Sequence, residues 1–160
     1  MKLRLLMGIP GSGKSTWVKN HLSLNDKYVS RDEIRFSMVS ETEEYFSKEN
    51  KVFKEFVKRI NEELKNYDVF ADATHISKAS RNKLLRSITT NVDEIELIWI
   101  KTPIDMAIER NENRKGTRSY VPVSAIRRMN TQTEKPEFEE GFDKIYIVEP
   151  NKEIQIITER

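Results

Sequence analysis

The 160 residues are about one domain's worth of chain, enough for one substantial core and too few for a second catalytic domain. With 34% charged and 37% hydrophobic residues, a mean hydropathy of −0.67 and no apolar run of bilayer length, the composition fits a small cytoplasmic enzyme and excludes a membrane-spanning helix. The absence of cysteine excludes a disulfide framework, a thiolate zinc site and a Cys nucleophile, and a net charge of +2 cannot hold a polyanion without a local basic cluster.

Leu3–Ile9 is a mostly apolar run, read as a strand buried on both faces. It is too short for the apolar region of a secretion signal, and no small-residue cleavage site follows. Gly8-Ile9-Pro10-Gly11-Ser12-Gly13-Lys14-Ser15-Thr16 then matches G-x-x-x-x-G-K-[ST], and Lys14–Leu22 can continue as a helix. Strand, loop and helix in that order are the context this phosphate cradle needs. Its glycines turn backbone N–H groups around phosphate oxygens, and the helix N-terminus adds its positive dipole end. Gly11, Ser12, Gly13, Lys14, Ser15 and Thr16 are therefore expected to bind a nucleoside triphosphate. Lys14 reaches the β- and γ-phosphates, Ser15 ligates Mg²⁺ and Thr16 touches the α-phosphate. The motif specifies a triphosphate, not a reaction.

Lys27–Ser30 reads as the second strand, followed by Ser30-Arg31-Asp32-Glu33-Ile34-Arg35. Chemistry in an open α/β sheet gathers at the C-terminal ends of strands, so Asp32 is expected to face the cradle. A carboxylate there suits removal of a proton from an acceptor hydroxyl, and Arg35, one helical turn on, could pair with an acceptor phosphate. A plainer reading is compatible: Ser30 and Glu33 form a capping box, and Asp32 sits in a first turn that favours negative charge. Lys48–Asn66 places Phe53, Phe56, Val57, Ile60 and Leu64 on one helical stripe. Asp68–Asp72 is a buried strand ending in an acid. Asp72 either organises Mg²⁺ or bonds to Ser15, or it simply starts a turn. His75, in a loop, reads as a surface or packing residue, and two histidines, His21 and His75, argue against an imidazole metal site.

Ser77–Thr90, Ile104–Arg110 and Val123–Met129 read as helices, with Pro122 at a first helical position. Glu94–Ile100, Lys144–Glu149 and Ile154–Thr158 read as strands, and Glu134–Gly141 as a surface turn. The β-α-β-α alternation predicts an α/β domain over 1–160, a parallel sheet with helices on both faces. Asn111–Val121 is a basic, movable loop. Arg110, Arg114 and Arg118 recur every four residues, and Gly116 is expected to end the helix and leave Arg118 on the loop. Such arginines can close over a transferring group and neutralise its charge. With Glu109 and Glu112 interspersed, they can equally be a solvated helix end. Trp17 and Trp99 are expected in the core. Phe36, Tyr45, Phe46 and Tyr120 show no stacking pattern along the chain.

Gly8–Thr16, the Arg31-Asp32-x-x-Arg35 element, Asp72-x-Thr74, and Arg110-Asn111-x-x-Arg114 with Gly116-Thr117-Arg118 and Val121-Pro122 together span Gly8 to Met129. In these motifs the chain resembles the 5′-kinase domain of bacteriophage and bacterial polynucleotide kinases, within the P-loop kinase superfamily. The resemblance implies a three-layer P-loop NTPase fold with a small arginine-bearing lid. It implies ATP and Mg²⁺ as cofactors, and transfer of the γ-phosphoryl group to a DNA or RNA 5′-hydroxyl. It makes Lys14 and Ser15 donor-phosphate residues, Asp32 the general base, Arg35 the holder of the acceptor phosphate and Asp72 the acid that organises the site. Arg114 becomes the lid arginine, with a one-residue register shift set by Lys115, and Arg110 and Arg118 face the nucleotide. Val121 packs on the acceptor base. The bacteriophage enzyme adds a 3′-phosphatase bearing D-x-D-x-T. That motif is missing here, so no phosphatase activity is expected, and a separately encoded ligase or phosphatase would be the partner. Two alternatives remain: a small-molecule P-loop kinase for a nucleoside, sugar or antibiotic, and an ATP-dependent switch that leaves Asp32 and the basic loop unexplained.

Overall fold

In the computed structural model, which describes residues 1–157, the apolar runs pair side by side and leave their connections to form helices. The elements are β1 (Lys2–Met7), α1 (Lys14–His21), β2 (Asp26–Ser30), α2 (Arg31–Met38), α3 (Glu49–Glu63), β3 (Asp68–Asp72), α4 (Lys78–Ser87), β4 (Glu94–Ile100), α5 (Ile104–Glu112), α6 (Val123–Gln132), β5 (Lys144–Val148) and β6 (Gln155–Ile157). The sheet order is β2-β3-β1-β4-β5-β6. The first five strands are parallel, and β6 pairs antiparallel to β5.

Alternation along the central strand divides the core. Leu3, Leu5 and Met7 pack with Ile34, Phe56, Ile60 and Leu84, beneath α2, α3 and α4. Leu6 packs with Val18 of α1, Phe70 and Ile98 on the other face. Both faces are covered, as the apolar character of β1 predicts. Arg4 shares the Leu6 face and pairs with Asp26 (3.4 Å), Asp68 (3.7 Å) and Glu96 (3.2 Å), which ties four strands at the end of the sheet away from their C-termini. No helix among the described residues is long and apolar enough to cross a membrane.

Several boundaries differ from expectation for identifiable reasons. β1 stops at Met7 because the Gly8 N–H turns to the Thr74 carbonyl (2.9 Å). Ser77 is a cap, its Oγ accepting from the Ser80 N–H, so α4 begins one residue later. Phe53 leaves the α3 stripe to lie beneath the cations of Arg31 and Lys83. The 134–141 connection is anchored rather than superficial. Phe138 forms a 3₁₀ turn and is buried, and Glu140 makes two bonds to the fully buried Arg81 (2.7 and 3.1 Å). Trp17 and Trp99 are only half-buried; Trp17 stacks on His21 at 3.9 Å. Thr158, in the last predicted strand, lies outside the described residues.

Candidate active site

With β1 between β3 and β4, the chain connections diverge at its C-terminal end, where an open α/β sheet forms its crevice. The phosphate cradle starts there. Gly11 (φ +82°) and Gly13 (φ +99°) adopt left-handed backbone, and a Cβ on Gly11 would fall 2.4 Å from the Ala107 carbonyl oxygen. Helices α2 and α4 have serine caps, but α1 has neither a side-chain cap nor an acid in its first turn. Its N-terminal amides are left for an external anion. Thr102 Oγ1 (2.7 Å) and Arg110 Nη1 (2.9 Å) both donate to the Ser12 carbonyl. The planar peptide then sends the Gly13 N–H the opposite way. Ser15 is half-buried and Thr16 exposed on the first turn of α1.

Lys14 folds back across the loop, its Nζ donating to the Gly8 (2.9 Å) and Ile9 (3.2 Å) carbonyls. Burial pushes its pKa below the usual lysine value. The carboxylates of Asp72 and Asp32 oppose that shift, and the Arg114 charge adds to it. Four residues singled out by sequence thus share one electrostatic field. Asp72 ends β3 beside Leu6 and Ser30 and is 7% exposed. Burial raises its pKa against the pull of Lys14 and of a hydrogen bond from the Tyr28 hydroxyl. Tyr28, not Ser15, is its bonded partner. It lies on the next strand, two residues off the paired register and on the same face.

Asp32 is in the first turn of α2 and its side chain is 67% exposed. Ser30 Oγ caps the helix by accepting from the Glu33 N–H (3.2 Å), but Glu33 makes no return bond, so only half of the expected capping box forms. Asp32 Oδ1 accepts from Arg35 Nη1 (2.6 Å) and from the Tyr45 hydroxyl (3.3 Å). Arg35 is not free for a phosphate here: it is 5% exposed and also grips Glu49 through Nε (3.1 Å) and Nη2. Tyr45 and Glu49 carry no motif, and sequence reading missed both.

The three arginines part company because α5 ends at Glu112, ahead of Gly116 rather than at it. Arg110 belongs to the cradle side through its bond to the Ser12 carbonyl, and the Arg114 charge adds to the lowering of the Lys14 pKa. Arg118 does not face the nucleotide region: its guanidinium donates to the Phe36 (3.1 Å) and Val39 carbonyls and lies over the Phe36 ring. It latches the lid to the end of α2. The fully buried Asn111 closes the 111–121 loop through both amide atoms, donating to the Val121 carbonyl (2.7 Å) and accepting from its N–H (3.0 Å). Val121 packs half-buried against Ile9, Ala107 and Ile126.

His75 sits beneath the cradle with φ 46° and is buried, its Nδ1 donating to the Leu6 carbonyl (2.6 Å). Its carbonyl accepts from Arg81 (2.9 Å). Burial depresses the imidazole pKa to about 4, with the Arg31, Lys14 and Arg81 charges adding to the effect and the Leu6 carbonyl opposing it. The unfolded chain therefore binds the proton first. His75 contributes full stability above about pH 6.5 and loses it as pH falls towards 4, by up to roughly 3 kcal/mol. Melting temperatures at pH 7 and 4.5 should show this fall. His75→Asn, which tolerates the left-handed backbone, should flatten it. An equally steep fall in the variant would exclude His75 as its source.

A model of the AAA domain family matches residues 3–136. An Acanthamoeba polyphaga mimivirus protein, whose name provisionally assigns it as a bifunctional polynucleotide phosphatase/kinase, is 30% identical over 151 residues. The match covers 90% of this chain and 32% of that protein, so the chain spans about a third of its relative's length. A chain in the structure of the Pnkp1/Rnl/Hen1 RNA repair complex superposes with a TM-score of 0.70 at 27% identity, over 82% of this chain and 43% of that one. A gluconokinase from Sinorhizobium meliloti 1021 superposes with a TM-score of 0.61 over 95% and 84%, and its 15% identity marks a likeness of fold alone. The resemblance to polynucleotide kinase P-loop domains read from the motifs thus extends over most of the chain. With its glycine-turned cradle at the switch point of a six-stranded, mostly parallel sheet, the chain belongs to the AAA domain family of P-loop proteins.

Proposed function

We propose that this chain is an ATP-dependent polynucleotide 5′-hydroxyl kinase acting in the cytoplasm. One observation carries the reading: Lys14 crosses an uncapped, glycine-turned cradle after β1, and the neighbouring strand ends carry Asp72, in register with Leu6 and Ser30, and Asp32, in the first turn of α2. In this proposal the triphosphate lies on the α1 amides, and its β- and γ-oxygens replace the Gly8 and Ile9 carbonyls as partners of Lys14. An open pocket of about 590 Å³ beside the cradle, lined by Ile9, Trp99, Thr102, Ile104, Met106 and Pro150 among others, has room for the nucleoside. Asp32 takes the proton of the acceptor 5′-hydroxyl as its oxygen attacks the γ-phosphorus. The bond from that phosphorus to the bridging oxygen of the β-phosphate breaks, and ADP leaves. Arg110 and Arg114 offset the negative charge of the transferring group. Arg35 takes the acceptor phosphate, exchanging part of its hold on Glu49 for it.

The Ser15 hydroxyl and the Asp72 carboxylate are hard oxygen donors that fit Mg²⁺, which usually binds one or two carboxylates together with substrate phosphates and water. No cluster of three or more His, Cys, Asp or Glu that could hold a metal occurs among the described residues. Bound there, Mg²⁺ would neutralise phosphate charge. The mimivirus relative's name supports a nucleic-acid acceptor, and the likeness to a chain of an RNA repair complex supports repair partners.

The test is a transfer screen with γ-labelled ATP and Mg²⁺ across DNA and RNA oligonucleotides with 5′-hydroxyl ends, nucleosides and sugars. Label is expected on the oligonucleotide 5′ ends. Transfer confined to nucleosides or sugars would replace this reading with a small-molecule kinase, and acceptor-independent hydrolysis would replace it with a nucleotide switch.

A further inference from the structure

A ladder of cations and rings runs from the lid to the Asp32 side of the cleft. Arg118 lies 4.9 Å from the Phe36 ring centre. Phe36 meets Tyr45 at 6.3 Å, and Tyr45 meets Phe46 at 4.7 Å with the planes at 87°. Arg35 stands over both of the last two rings, at 4.8 and 5.5 Å. Exposure rises along the ladder: Phe36 and Tyr45 are half-buried, whereas Phe46 is 56% exposed. None of these three rings belongs to a hydrophobic core cluster among the described residues. They are held by guanidinium groups and by each other. The inner rung also touches the proposed base, since the Tyr45 hydroxyl donates to Asp32 Oδ1 at 3.3 Å.

We propose that Tyr45 and Phe46 form a stacking platform for the nucleobase of the acceptor's first nucleotide, with Arg35 steadying both rings. This deepens the kinase reading above and rests on it. A 5′-hydroxyl at Asp32 brings its sugar, and the base on that sugar, to the side of the cleft where the rings open. Any base has a π-face, so the platform selects nucleotides over sugars without selecting a sequence. A guanidinium over the rings holds them in place by cation–π attraction.

Phe46→Ala is the direct test, because an exposed ring can be removed without opening the core. Two acceptors are compared: an oligonucleotide with an intact first nucleotide, and the same oligonucleotide with an abasic first residue. The wild-type protein should show an acceptor KM about 10-fold higher for the abasic substrate. Phe46→Ala should raise the KM for the intact substrate by a similar factor and no longer distinguish the two, while the KM for ATP stays within the wild-type range. A variant that still discriminates, or a wild type that never does, overturns the platform. Fluorescence anisotropy with the same oligonucleotides separates the two proposals. Phe46-dependent binding that requires the base, without phosphoryl transfer, keeps the platform and sinks the kinase. Transfer without base-dependent binding does the reverse.

Discussion

Asp32→Asn is expected to lower kcat for oligonucleotide phosphorylation by about 10²- to 10⁴-fold, roughly 3–5 kcal/mol of barrier. The change is nearly isosteric. The remaining amide oxygen can still accept from Arg35 and from Tyr45, so the geometry at the N-terminus of α2 is retained. What disappears is the basicity that receives the hydroxyl proton. The melting temperature should hardly move, because the Asp32–Arg35 pair joins a buried guanidinium to a carboxylate that is 67% exposed, and such pairs contribute little. ATP affinity should also persist, since the cradle amides and Lys14 are untouched. Unchanged single-turnover rates in a radiolabelled assay would remove Asp32 from the chemistry. A hydrolysis rate that survives while transfer to alcohols is lost would instead isolate its role as the acceptor's base.

The cradle was legible in the sequence because backbone geometry dictates its residue types. Gly13, a fixed position of the motif, turns through left-handed backbone at φ +99°, while Gly11, at a position the motif leaves open, can be nothing larger because a Cβ would meet the Ala107 carbonyl at 2.4 Å. The strands were legible because a sheet covered on both faces demands apolar runs. Their ends were harder to place, since Gly8 leaves the ladder for a single bond to Thr74. The setting of Asp32 was not legible. Glu49 reaches Arg35 because α3 folds against α2, and Tyr45 reaches Arg35 and Asp32 from the connection between those helices; no periodicity records either contact. The arginine spacing was legible only in part: Arg118 does lie on the loop, as expected, but the helix ends before Gly116 and the bond of Arg118 to α2 has no local signal. A four-residue repeat means one face only while the helix lasts, and α5 ends at Glu112, which frees Arg118 to latch onto α2. The Arg81–Glu140 pair bridges residues too distant in sequence for any local signal.

Lys14→Met separates function from stability more sharply than any other change. The ammonium is held by two backbone carbonyls, at 2.9 and 3.2 Å, and burial outweighs its carboxylate neighbours in setting its pKa low. The ammonium therefore carries a desolvation cost, which a phosphate bound as in the proposed function would offset. Met fills most of the same volume without that desolvation cost, at the loss of two hydrogen bonds and of attraction to Asp72 and Asp32. The opposing effects nearly cancel, as they often do when a buried charge is exchanged for an apolar side chain of similar size. The melting temperature without nucleotide should thus hold or rise. Phosphoryl transfer should fall by at least about 10³-fold, since a preorganised positive charge at the developing negative charge is removed, and the thermal stabilisation conferred by ATP should shrink with it. Retained transfer would show that Lys14 does not act on the phosphates. A variant that unfolds would show instead that its two carbonyl bonds hold the loop together.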